Sequence, residues 1–113
     1  MMYYEFNAGS KEYKLRLNTR NVVELEKRLG CNPIMIFGLD GEQIPTVSAM
    51  VAILHASLQT HHHGITLEKA YDIFDSYLED GNAAVDFLKI IMEVYKVSGM
   101  IPKEVAAEGE EKN

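Results

Sequence analysis

The hydrophobic pattern changes period once, near residue 18, and that change constrains the fold more than any other feature. Before it, Met2, Tyr4 and Phe6 alternate with Tyr3 and Glu5, and Tyr13, Leu15 and Leu17 alternate with Glu12, Lys14 and Arg16. Period-two alternation on both sides of Asn7-Ala8-Gly9-Ser10 predicts a β-hairpin. A lone hairpin is barely stable in water, so its apolar face must lie on the rest of the chain. That remainder reads as helix. Asn18 or Thr19 can cap a first helix carrying Val22, Leu25 and Leu29, with Gly30 as its stop. Asn32-Pro33 restarts the chain, and Ile34-Met35-Ile36-Phe37 is long enough for one or two turns before Gly38. Asp40-Gly41-Glu42-Gln43 reads as a surface turn.

Three longer helices are predicted beyond it. Thr46 to Gln59 carries apolar residues on almost every side, as a central, buried helix does. After the loop Thr60-His61-His62-His63-Gly64, Thr66 caps a helix with Leu67, Ala70, Tyr71, Phe74, Tyr77 and Leu78 at three-and-four spacing. Gly81 ends that helix and Asn82 caps the last one, over about 83–98. The last helix sets Val85, Phe87, Leu88, Ile91, Met92 and Tyr95 on one stripe and leaves Ile90, Val94 and Val97 off it. One face cannot hold all of these, so either the helix is buried on two sides or part of it meets another molecule. On the second alternative Ile90, Val94 and Val97 are candidate protein-binding residues. The expected fold is α+β and mainly α, an N-terminal hairpin on about four helices. One globular domain over 1–102 and a flexible acidic tail over 103–113 complete the expected organisation.

Composition narrows the function classes. The 113 residues suffice for one domain with a real core. No apolar run approaches the roughly 18 residues of a membrane span, and the N-terminus lacks a basic region followed by an apolar stretch. The expectation is a chain that is neither membrane-bound nor exported. With Cys31 as its one cysteine, an intrachain disulfide and a cysteine-rich metal module are excluded. Seventeen acidic against eleven basic residues give a net charge of −6, which argues against a dedicated nucleic-acid surface. The charge is uneven: residues 1–30 carry +2 and residues 31–113 carry −8.

Motifs for chemistry are sparse. His61, His62 and His63, with His55 upstream, are zinc-type ligands by residue type, but three neighbours in a loop point in divergent directions. Cys31 has no base beside it in sequence, as a nucleophile requires. No phosphate-cradling or dinucleotide motif is present, and the acidic residues are scattered over helix exteriors. The sequence reading therefore assigns no catalytic residue, no metal and no cofactor.

The order of elements is more informative. A hairpin leads into Leu25-Glu26-Lys27-Arg28-Leu29-Gly30, an apolar central helix follows, and a His/Gly loop precedes Gly64-Ile65-Thr66-Leu67-Glu68-Lys69-Ala70. This order and these two motifs resemble the small tail assembly chaperones of long-tailed bacteriophages and prophages, over most of residues 4–98. The resemblance implies a non-catalytic protein of the bacterial host cytoplasm, absent from the mature virion. Such a protein binds the long helical tape measure protein and helps to recruit tail tube subunits around it. It also implies a longer form made by ribosomal frameshifting, while the surplus apolar residues Ile90, Val94 and Val97 leave a homo-oligomer as an option. Glu111-Lys112-Asn113 can be encoded by an A-rich slippery run, which fits that implication. Competing expectations are a structural tail or connector protein retained in the virion, a small helical regulator binding nucleic acid through Lys11 to Arg28, and a metal-dependent enzyme using the histidines.

Overall fold

The computed structural model describes residues 2–103. A two-stranded antiparallel hairpin, β1 (Tyr4–Ala8) and β2 (Lys11–Leu15), is followed by α1 (Thr19–Leu29), a 3₁₀ turn (Pro33–Phe37), α2 (Val47–Leu58), α3 (Leu67–Glu79), a second 3₁₀ turn (Ala84–Asp86) and α4 (Phe87–Val97). The fold is α+β and mainly α, as expected. The tail expected over 103–113 lies outside the described residues apart from Lys103.

The hairpin register pairs Phe6 with Tyr13 and Tyr4 with Leu15, so the alternating apolar residues of both strands share one face. Phe6, Ala8, Tyr13 and Leu15 are buried there. Gly9 turns the chain at a φ of 64°, while Ser10 keeps an ordinary negative φ, the pattern in which glycine takes the first central position of a two-residue hairpin turn. Met2, grouped with Tyr4 and Phe6 by alternation, instead lies exposed ahead of β1, where its carbonyl accepts from Arg16 Nη1.

Helices α1, α2 and α3 each start on a side chain that accepts a backbone N–H of the first turn. Asn18 accepts from Asn21 N, Thr46 from Ala49 N and Thr66 from Lys69 N. Asn32 does the same for the first 3₁₀ turn through Ile34 N. Gly30 ends α1 in the left-handed region, where its N–H reaches Glu26 O. Helix α2 lies between α1 and α3 and touches β2 and α4 as well, which explains why it is apolar nearly all round.

The buried residues of the hairpin and of α1 to α4 form a contiguous cluster. At its centre Phe87 meets Phe6, Phe74 and Tyr77 edge to face, with ring centroids 5.4–5.7 Å apart. This contact decides how α4 is rotated. Asn82 does not cap α4; its amide donates to Tyr77 O, closing α3. A 3₁₀ turn intervenes, in which Asp86 accepts from Ala83 N, and α4 begins at Phe87 rather than near residue 83. With Phe87 locked into the aromatic cluster, the inward face becomes Phe87, Ile90, Ile91, Val94 and Tyr95. Val85 and Met92, expected inside, are exposed, and Leu88 is half-buried. In α3 the same kind of rotation buries Ile73 and exposes Tyr71.

Candidate functional site

The residues proposed from sequence as a binding strip do not form one. Ile90 and Val94 are 8% and 1% exposed, inside the core, and Val97 is half-buried. The reason is the rotation of α4 about Phe87, which turns them inward and turns Leu88 and Met92 outward. The helix is one-sided, and its outward apolar residues are not the ones off the sequence stripe.

Exposed apolar side chains gather elsewhere. Ile34, Met35, Leu39, Ile44 and Met92, all large and all exposed, line one groove of about 730 Å³ between α4 and the segment 34–44. Its α4 wall carries Leu88 and Met92, spaced i and i+4 on one helical ridge, with the buried Tyr95 ring behind them. Its other wall is the 3₁₀ turn and the loop that follows, and Ile101 lines it as well.

The loop wall is held by local bonds. Asn32 and Pro33 start the 3₁₀ turn, and Gly38 stops it with φ 82° and ψ 170°, a region essentially reserved for glycine. A Cβ at Gly38 would also stand 3.0 Å from the Cβ of Gln43. Gln43 N donates to Phe37 O at 2.7 Å, and Asp40 Oδ1 accepts from Glu42 N at 3.0 Å, the hydrogen bond of an Asx turn. This folding leaves Leu39 at 94% and Ile44 at 63% exposure. Burying one such side chain fully against a partner is worth about 1.5–3 kcal/mol.

The turn is joined to α4 by a buried hydrogen bond. The Tyr95 hydroxyl, itself buried, donates to Pro33 O at 2.8 Å. Burial, with Cys31 a lesser contributor, pushes the Tyr95 phenol far above its usual range, so it stays a donor. Met35 is shared with a second groove of about 390 Å³, lined also by Leu29, Cys31, Leu67 and Tyr71. Through Met35 the apolar surface continues from α4 toward α3. Two methionines on such a surface adapt to partners of different shape. Charged groups occur only on the walls, with Asp40 and Glu42 on the loop and Lys89 on α4. The chemistry this arrangement offers is removal of another molecule's apolar surface from water.

The family profile of DUF6096, described as a family of unknown function, matches residues 4–110. The chain belongs to that family. No curated protein and no solved structure matches it.

Within this DUF6096 chain the histidine loop has a structural role. Lys14 N donates to His62 Nε2 at 2.8 Å, Arg16 N to Ser57 O at 2.9 Å, and Thr60 Oγ1 to Arg16 O at 3.0 Å. Lys14 and Arg16 present these groups on the side of β2 away from β1, so the loop covers a free sheet edge. His62 packs on Tyr13 and His61 on Tyr3, each edge to face. Burial first, then His61 and Lys14, lowers the His62 pKa, in keeping with a neutral acceptor. His55 lies on α2 beside Arg28 and is also held low, by burial and then by that charge. Among the described residues no group of three His, Cys, Asp or Glu side chains could hold a metal ion, and no helix is long and apolar enough to cross a membrane.

Sequence reasoning passed over the groove residues because the segment 34–43 is too short for periodicity to assign a face. One signal was present: Leu39 and Ile44 flank the polar Asp40–Gln43 turn with no apolar partner at helical or strand spacing.

Proposed function

We propose that this chain is a non-catalytic tail assembly chaperone whose groove between α4 and residues 34–44 takes apolar side chains of the tape measure protein. The observation that carries the reading is the concentration of exposed large apolar residues on that one groove, Leu39, Ile44 and Met92 among them. Single exposed apolar residues are ordinary; a contiguous set around a concave surface marks a binding site. The sequence resemblance supplies the client, and helix-in-groove binding is the physical mode that fits a long helical one. On this reading the chaperone works in the bacterial cytoplasm, keeps the tape measure protein soluble, helps to gather tail tube subunits, and leaves the finished particle.

The test is co-expression with the tape measure protein of the same phage or prophage. The two should co-purify, the soluble yield of tape measure protein should fall several-fold without this chain, and Leu39→Asp with Met92→Asp should abolish both effects. Purified virions should contain none of it. A tape measure protein equally soluble alone, or this chain found at stoichiometric level in virions, refutes the proposal.

A further inference from the structure

The two walls of the groove carry opposite charge. Asp40 and Glu42 stand on the loop wall and Lys89 on the α4 wall, with the apolar side chains of Met35, Leu88 and Met92 lining the groove between these elements. These charges are uncommitted: the ion pairs among the described residues are Lys27 with Glu24 and Lys96 with Glu93, neither of which involves a groove residue. The α4 wall presents Leu88 and Met92, one helical turn apart, against which an apolar row of another helix packs, with buried Tyr95 behind them.

From this we infer that the groove takes an amphipathic α-helix of another polypeptide whose apolar stripe is flanked by basic residues along one side and acidic residues along the other. The basic flank faces Asp40 and Glu42, and the acidic flank faces Lys89. A helix has a direction, so two oppositely charged walls also set which way the partner chain runs across the groove. Charges at a rim act on partner choice and registry more than on affinity. The inference rests on the groove reading above and adds to it the class of helix selected.

The experiment uses the full chain and three alanine-based helical peptides with the same leucine stripe, followed by fluorescence anisotropy at 0.15 M salt, where the Debye length of about 8 Å screens the net charge of the chain. One peptide carries Lys on one flank and Glu on the other, one carries Lys on both flanks, and one carries Glu on both. The split-flank peptide should bind two- to fivefold more tightly than either uniform one, the size expected of exposed ion pairs. In the variant Asp40→Asn with Glu42→Lys, both walls are positive and the Asx-turn acceptor is kept. The all-Glu peptide should then become the tightest. Met92→Asp should remove binding of all three. Equal binding of the three peptides, lost in Met92→Asp, overturns the charge inference and leaves the groove reading standing. Absence of binding, or binding that Met92→Asp leaves intact, overturns both. A Met92-dependent dimer that no peptide dissociates makes the occupant a second copy and overturns the inference as well.

Discussion

The Tyr95 hydroxyl reaches across 62 residues of sequence to donate to the Pro33 carbonyl at 2.8 Å, inside the protein. This bond ties the 3₁₀ turn to α4, the two elements that flank the groove. Tyr95→Phe removes one buried donor from the Pro33 carbonyl, which keeps its place in the 3₁₀ turn, and should cost about 0.5–1.5 kcal/mol in urea unfolding. It should also loosen the groove, seen as faster amide exchange in residues 33–38. An unchanged unfolding midpoint means that water replaces the hydroxyl and that the bond does not hold the turn.

Met92 and Val94 lie two residues apart on α4 and face opposite ways, Met92 exposed and Val94 1% exposed. Met92→Asp should keep the fold, with stability changed by no more than about 1 kcal/mol, and abolish client capture. Val94→Asp buries a charge and should unfold the chain. Circular dichroism with thermal melts separates the two. A folded Val94→Asp protein contradicts the observed rotation of α4.

The His62 contact makes stability depend on pH. The folded-state pKa lies below the ordinary 6.5, chiefly through burial, so the neutral ring is favoured in the folded state. The contribution is complete above about pH 6.5 and is lost as pH falls toward the lowered folded value, because the unfolded state takes up the proton first. His62→Gln, with a side-chain carbonyl for Lys14 N and no proton to gain, should flatten the stability profile between pH 7 and pH 5. The carboxylates and His55 remain in both proteins, so the difference between the two profiles isolates His62. Parallel profiles sink the assignment.

Gly38 and Gly41 both have positive φ, at 82° and 78°, but only Gly38 has a close neighbour where a Cβ would go. Gly41→Ala should therefore cost about 1–2 kcal/mol of backbone strain alone. Gly38→Ala adds the 3.0 Å approach to Gln43 and a ψ near 170°, and should cost more and displace Leu39. Chemical denaturation of the pair, with peptide binding as second readout, checks the order. Equal costs would mean that the loop relaxes around the new methyl group.

Most of the architecture is legible in the sequence. Alternation around Gly9 located the hairpin, and Asn18 or Thr19, Asn32 and Thr66 marked the starts of α1, the 3₁₀ turn and α3 because capping is chemistry between near neighbours. The all-round apolar pattern of α2 likewise announced its place between other helices. The segment from Asn82 to Phe87 was not legible. There a side chain could cap the helix behind it or the one ahead, and the choice fell to the packing of Phe87 against Phe6, Phe74 and Tyr77.

That choice carries the candidate site with it. Successive residues of a helix are about 100° apart, so seating Phe87 in the aromatic cluster fixes which apolar residues of α4 meet water. The expected strip of Ile90, Val94 and Val97 went largely into the core, and Met92 came out to face Leu39 and Ile44 across a groove. Local sequence determined where this chain turns, caps and alternates, because those energies are settled within a few residues. Which surplus apolar side chains remain exposed, and that they lie together, was decided by tertiary packing, because it depends on contacts between residues as far apart as Pro33 and Tyr95.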